Sequence, residues 1–581
     1  MAVENLITEH IDVWTSAVKT KSTSGRGSSK KLELYGVKKL RELILELAVQ
    51  GKLVPQDPND EPASLLLERI TAEKAQLVKE KKIKKPKALP PINDSKPFQI
   101  PNNWGWSQLG FLTNYGVCDK LEPKDASPST WVLELEDVEK YTSRLLKKVR
   151  FEERVFKSTK NSFQKNDVIY GKLRPYLDKV LVADEDGACT TEMIPIRGYI
   201  GLIPEFIRLV LKTPYFIEYA NTSTHGMNLP RMGTDKARAA LFPLAPLNEQ
   251  HRIVAKVDEL MALCDQLEQQ TEDSIEAHQV LVTTLLDTLT NSADADELMK
   301  NWARISEHFD TLFTTEESID QLKQTILQLA VMGKLVPQDP SDEPAAELLK
   351  RIAEEKAQLV KEKKIKKQKA LPPISEDEKP FELPSGWSYE RLGNICEKMG
   401  SGSTPRGGQS AYVTEGIPFL RSQNVWNGEL KLNDIAYIPQ ETHDKMENTK
   451  VYPGDVLLNI TGASLGRSTI FPEEISEANV SQHVTIIRLI EPKMKEFIHI
   501  GIISPLIQNL VWGRQVGMAI EGLSKKVLEQ FEFPVPPLEE QKLIVEKVTE
   551  LLNICEHLKA QLVTSQTTQI QLTDSIVDQM V

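Results

Sequence analysis

The chain has 581 residues, 40% hydrophobic and 27% charged, with a formal net charge of −12. That length exceeds one hydrophobic core, so three or more domains are expected, and the composition is ordinary for a soluble globular protein. Five cysteines (Cys118, Cys189, Cys264, Cys396, Cys555) stand far apart without a CxxC, which argues against a disulfide framework or a zinc site.

In chain order, residues 1–30 read as an N-terminal helix followed by a flexible linker, TSGRGSSKK. The opening MAVENLITEHID has neither the basic nor the apolar region of a signal peptide, and no apolar run reaches membrane-spanning length. A cytoplasmic location is therefore expected. Residues 31–96 form a helical region containing LAVQGKLVPQDP (Leu47–Pro58). Leu66, Ile70 and Leu77 mark an amphipathic helix that runs into a lysine cluster, with a stop expected at Pro90-Pro91. Residues 97–246 change character, mixing β-branched residues with Gly, Pro, Asn and Asp turns, and read as a β-rich insert. Residues 247–379 return to helix, and Ile253, Val257, Leu260, Cys264 and Leu267 step by four and three along an a/d seam. A second β-rich insert spans 380–537, and a last helical region spans 538–581, where Ile544, Val548, Leu551, Cys555, Leu558 and Leu562 repeat the seam.

The helical parts are written twice. LAVMGKLVPQDP (Leu329–Pro340) repeats the first dodecamer with Met332 in place of Gln50, and the match runs on to Ile92 and Ile374 at a constant offset of 282. FPLAPLNEQHRIV (from Phe242) resembles FPVPPLEEQKLIV (from Phe533) at an offset of 291. Two long units point to a pseudo-two-fold or tandem plan rather than a solenoid, which needs three or more short ones. The inserts between them are dissimilar in sequence. They carry net charges of +2 (97–246) and −4 (380–537), so the acid, −10, lies on the helical frame. GASLGRS is too short for a phosphate loop, and no HExxH or other catalytic spacing occurs. The motifs point to no active site of the chain's own.

A duplicated frame around two unlike inserts resembles the specificity subunits of Type I restriction-modification systems. YGKLRPYLDKV with CTTEM, GSGSTPRGG, GIPFLRSQNV, GDVLLNITGASLGR and the two PLxEQ junctions carry the resemblance over nearly the whole chain. It implies an α+β fold: two globular β-rich target recognition domains separated by long antiparallel, coiled-coil-like helices. It further implies that each domain reads half of an asymmetric double-stranded DNA site. Two modification subunits would bring S-adenosylmethionine, and restriction subunits would bring ATP and magnesium chemistry, so this chain would hold no cofactor itself. The duplicated frame would give the two modification subunits equivalent docking faces, its N- and C-terminal pieces meeting to build one of them.

Base reading needs forked donors and acceptors, and phosphate contact needs cations or close backbone. In the first insert the candidates are Lys172, Arg174, Thr191, Glu192, Asn228 and Arg231. In the second they are Ser401, Thr404, Arg406, Arg421, Ser422, Gln423, Asn424, Thr461, Arg467, Gln482 and His483. Each stands against a plain alternative, a solvated loop or a turn cap. The rival for the whole chain is a non-DNA-binding helical scaffold with two protein-binding domains, which the net acidity favours.

Overall fold

The computed structural model describes residues 7–22, 30–93, 96–226, 228–293, 295–515 and 522–581. The chain divides into two compact units, Met1–Ser274 with Ser565–Val581, and Ile275–Thr564. The fold is α+β, with two β-rich domains and long helices.

In the first unit, helix Tyr35–Val49 buries Val37, Leu40, Leu43, Ile44 and Leu47, the 3–4 spacing of one apolar face. The first part of the long helix Leu247–Thr290 buries the expected seam, Ile253 through Leu267. Arg41 reaches from the shorter helix to Asp265 (2.7 Å) and Glu268 (2.6 Å). The C-terminal residues belong to the same unit: the Tyr35 hydroxyl donates to Asp574 (2.7 Å), and Lys52 Nζ donates to the Val581 carbonyl (2.6 Å). In the second unit, helix Glu316–Val331 takes the same role beside the first part, up to Thr564, of the helix Leu538–Met580. Lys323 pairs with Glu556 (2.6 Å), and Lys334 donates to the Thr290 and Ser292 carbonyls (2.8 and 2.9 Å). Lys52 and Lys334 are equivalent in the repeat, and each sets an ammonium at the carbonyl end of a long helix, where the macrodipole favours a cation.

The repeated dodecamer is a clamp. Gly51 (φ +69°) and Gly333 (φ +68°) turn the chain left-handed after the helix, with Lys52 N–H on Leu47 O (2.9 Å) and Lys334 N–H on Leu329 O (3.0 Å). Gln56 then donates to Glu249 (2.5 Å), whose other oxygen accepts from the Trp104 indole (3.0 Å). Gln338, Glu540 and Trp387 repeat this at 3.2 and 2.9 Å. Each clamp ties three pieces distant in sequence: the dodecamer, the tryptophan at the entry to the insert, and the first turn of the long helix. Both glutamates are buried, and burial raises both carboxyl pKa values.

Two expectations change. The helices Ala63–Lys79 and Ala345–Lys361 do not run to the Pro-Pro pairs. Lys81 (φ +57°) and Lys363 (φ +61°) adopt the left-handed conformation, and the N–H groups of Lys82 and Lys364 close onto Leu77 O and Leu359 O (2.9 Å each). That hydrogen-bonded turn ends each helix, so most of each lysine cluster lies beyond it and the prolines only restrain an extended segment. At the N-terminus, helix Ile11–Ser16 is followed by strand Lys19–Ser22, which pairs antiparallel with strand Lys30–Glu33. A domain limit at residue 30 would cut that ladder, whose backbone groups satisfy one another. Most of the expected flexible linker, residues 23–29, lies outside the described residues.

The inserts, unlike in sequence, share a plan. Each is closed at its base by an antiparallel pair, Gly105–Gln108 with Leu241–Leu244 and Ser388–Arg391 with Glu532–Val535. Each contains one parallel pair, Trp131–Leu133 with Gly187–Cys189 and Ile417–Leu420 with Ala478–Val480. Each has a central strand, Val168–Gly171 or Val456–Asn459, flanked on both sides by antiparallel neighbours. The turn before that strand is held by an aspartate gripped two-pronged by arginine: Asp167 by Arg197 (2.7 and 2.8 Å) and Asp455 by Arg488 (2.7 Å twice).

Candidate nucleic-acid interface

At one end of each insert, loops from separate strands are laced by equivalent backbone bonds. Thr190 N–H donates to Leu133 O (3.1 Å), as Ser481 N–H does to Leu420 O (2.9 Å). Lys172 N–H donates to Glu192 O and Ile460 N–H to His483 O, both at 3.0 Å. Met232 N–H donates to Lys172 O (3.0 Å), and Leu523 N–H to Ile460 O (2.8 Å). A capped turn follows the parallel strand in both: Glu134 N–H on the Asp137 carboxylate (2.8 Å), and Arg421 N–H on the Asn424 side-chain oxygen (2.9 Å). Positions 134–137 therefore correspond to 421–424, and 190–192 to 481–483.

In the second insert these loops gather many of the sequence candidates. Thr404 Oγ1 donates to Gln482, whose amide lies 3.1 Å from His483 Nε2, and His483 Nδ1 lies 2.6 Å from Thr461 Oγ1. Four residues from three segments thus form one polar chain. Gly402 makes the close approach: a Cβ there would stand 1.8 Å from Val480 O. Ser401 is exposed beside it, and Arg406 is exposed further along the same loop. Arg467 lies against the Trp426 ring (3.8 Å), as does Lys431 (3.6 Å), and the Trp426 indole donates to Gln423 O (2.9 Å). Arg421 and Gln423 both turn to Asp434. Ser422 is half-buried, and its carbonyl accepts from Asn459 Nδ2 (2.8 Å), which ties this loop to the end of the central strand.

Asn424 is a correction. It is buried, its oxygen caps the turn, and its amide donates to Lys431 O (2.8 Å), so it shapes the loop rather than facing outward.

In the first insert, Lys172, Glu192 and Arg231 come together: Arg231 Nε donates to both Glu192 oxygens (3.1 and 3.0 Å), so neither residue presents a fully open edge. Arg174 is exposed in the left-handed conformation (φ +51°), with its N–H on Pro230 O (2.7 Å). That bond brings it to the segment carrying Asn228, which is exposed, as is Thr191. Nearby, burial raises the Cys118 thiol pKa, which disfavours a reactive thiolate.

The sequence reading passed over Glu134, Glu136, Asp434, Trp426 and Lys431. A signal existed for the first two: LELEDV (Leu133–Val138) and LRSQNV (Leu420–Val425) share leucine, the capping Asp or Asn, and valine at the same spacing. Asp434 had none, because it meets its partners only through the turn that follows the hairpin Val425–Trp426 with Glu429–Leu430.

The family model for the Type I restriction modification DNA specificity domain matches residues 384–564, which include the whole polar cluster of the second insert. Over 599 aligned residues the chain is 43% identical to the Type I restriction enzyme EcoAI specificity subunit of Escherichia coli, covering 100% of this chain and 99% of that one. The chain belongs to the Type I specificity subunits. A second relative, the EcoEI specificity subunit of Escherichia coli, is 41% identical over 609 residues, with 100% and 99% covered. A solved chain, from a study of complex assembly and conformational transition in the type I R-M system, has 20% identity and a TM-score of 0.52. It covers 83% of this specificity subunit and 99% of its own length, and agrees in fold.

Proposed function

We propose that this specificity subunit reads a split, asymmetric double-stranded DNA site, one half with each insert, and holds the other subunits of a Type I complex. It works in the cytoplasm and carries no active site. Two modification subunits bind the duplicated frame and bring S-adenosylmethionine; restriction subunits bring ATP and magnesium. The observation that carries the reading is the single backbone skeleton presented twice with different side chains on its loops. One shared skeleton means one mode of approach to DNA, and different side chains mean different bases. The near-identity of residues 47–92 and 329–374 supports two equal partners, since equal surfaces bind equal partners. The protein-binding scaffold is not favoured, because the family is defined by DNA specificity.

The test is DNA binding by the chain co-purified with its modification subunits, titrated against salt. Phosphate contacts make log K fall with log salt by roughly 0.9 per neutralised phosphate. A steep fall together with selection of one bipartite sequence is expected. Affinity indifferent to salt and sequence refutes the reading, and methyl transfer by the isolated chain from labelled S-adenosylmethionine refutes the absence of an active site.

A further inference from the structure

We infer that Asp434 is the base-reading group of the 421–424 loop, accepting a hydrogen bond from the exocyclic amino group of a cytosine or adenine in the major groove. Arg421 and Gln423 are its positioning residues. The inference rests on the DNA-reading role proposed above.

Three donors converge on Asp434. Gln423 Nε2 donates to its Oδ2 (2.5 Å), and Arg421 Nη2 donates to its carbonyl (2.6 Å) and lies 3.4 Å from Oδ2. Asn424 Nδ2 lies 3.4 Å from the same carbonyl and also donates to Lys431 O (2.8 Å), which straps the turn to the capped loop. Arg421 is thereby held against the turn by one arm of its guanidinium. To read guanine, an arginine must offer two N–H groups in a planar fork. Here Nη2 is committed, Nε is buried without a hydrogen-bond partner, and the side chain is only 31% exposed. Asp434 is the opposite case: its side chain is 83% exposed, and Oδ1 makes no hydrogen bond among the described residues.

A carboxylate carried towards a polyphosphate is repelled unless a donor meets it. Lys431 and Arg467, both lying against Trp426, supply cations nearby for the phosphates. On the bases, the major-groove donors are cytosine N4 and adenine N6. An aspartate pinned at one oxygen and open at the other fits that single demand.

The experiment uses the full chain co-purified with its modification subunits, selecting from a randomised double-stranded DNA library that is then sequenced. With Asp434→Ala, preference for C or A should drop roughly 5- to 100-fold at one position of the half-site read by the second insert, with the other half unchanged. The base lost tells cytosine from adenine. Arg421→Ala should weaken the same position, and the double variant should lose no more than Asp434→Ala alone. Asp434→Asn, which keeps a carbonyl acceptor, should retain part of the preference. If Asp434→Ala leaves every position unchanged while the wild type selects a bipartite site, this inference falls and the DNA-reading role stands. If Asp434→Ala instead sharpens a guanine that Arg421→Ala abolishes, Arg421 is the reader and Asp434 its competitor. A wild type that selects no sequence overturns both.

Discussion

Replacing Gly333 by alanine tests why the dodecamer is written twice. The residue sits at φ +68°, where a side chain costs about 1–2 kcal/mol. A Cβ there would stand 2.5 Å from Pro384 Cγ and 2.9 Å from the Trp387 ring, in the clamp that also holds Gln338 and Glu540. Overpacking of this kind costs about 1–3 kcal/mol. The reduced freedom of the unfolded chain returns roughly 0.4–1 kcal/mol. The net is a loss of about 1–5 kcal/mol in the second unit. Gly51→Ala should behave alike in the first unit, where the Cβ would stand 2.4 Å from Pro101 Cγ. Two compact units make a single melting curve a poor measure, because two-state analysis fails for such chains. Native-state hydrogen exchange, read by mass spectrometry on peptides from Glu316–Val331 and Tyr35–Val49, measures each frame helix separately. Gly333→Ala should lower the opening free energy most in the first peptide, and Gly51→Ala most in the second. Opening energies within about 0.5 kcal/mol of wild type, or raised, would refute the clamp.

Replacing Lys172 and Arg174 together by alanine should weaken or blur only the half-site read by the first insert; library selection that shows both halves equally altered would count against independent readers. His499 Nε2 donates to the Ser468 carbonyl (3.0 Å), and burial lowers its pKa, so the unfolded chain binds the proton more readily. Its contribution is therefore present above pH about 6.5 and is lost as pH falls from there through the depressed folded value. Exchange in the second unit should show that acid-side loss, and His499→Gln should flatten it; identical pH profiles for the two proteins would exclude the residue as a cause.

What could be read from the sequence followed periodicity and repetition. The seam Ile253–Leu267 is buried as its spacing requires, because an amphipathic helix advertises its inner face every three or four residues. The clamp was visible only as an unexplained repeat. Gln56 and Glu249 lie 193 positions apart, and nothing in either local pattern points to the other. The common skeleton of the inserts stayed hidden for a related reason: backbone N–H and C=O groups build it, and any sequence supplies those. The helix stop at Lys81 was missed because lysine seldom adopts a left-handed conformation and the proline pair is the louder signal.

The capped turn at 134–137 and 421–424 has a consequence for how such proteins change. Its geometry is held by main-chain bonds and one short carbonyl-bearing side chain, Asp137 or Asn424, while the intervening positions already differ completely between the inserts, Leu-Glu in one and Ser-Gln in the other. Folding therefore places little demand on the exposed members of the loop. A lineage can try new side chains there without first becoming unstable, so innovation in what is recognised is uncoupled from survival of the scaffold.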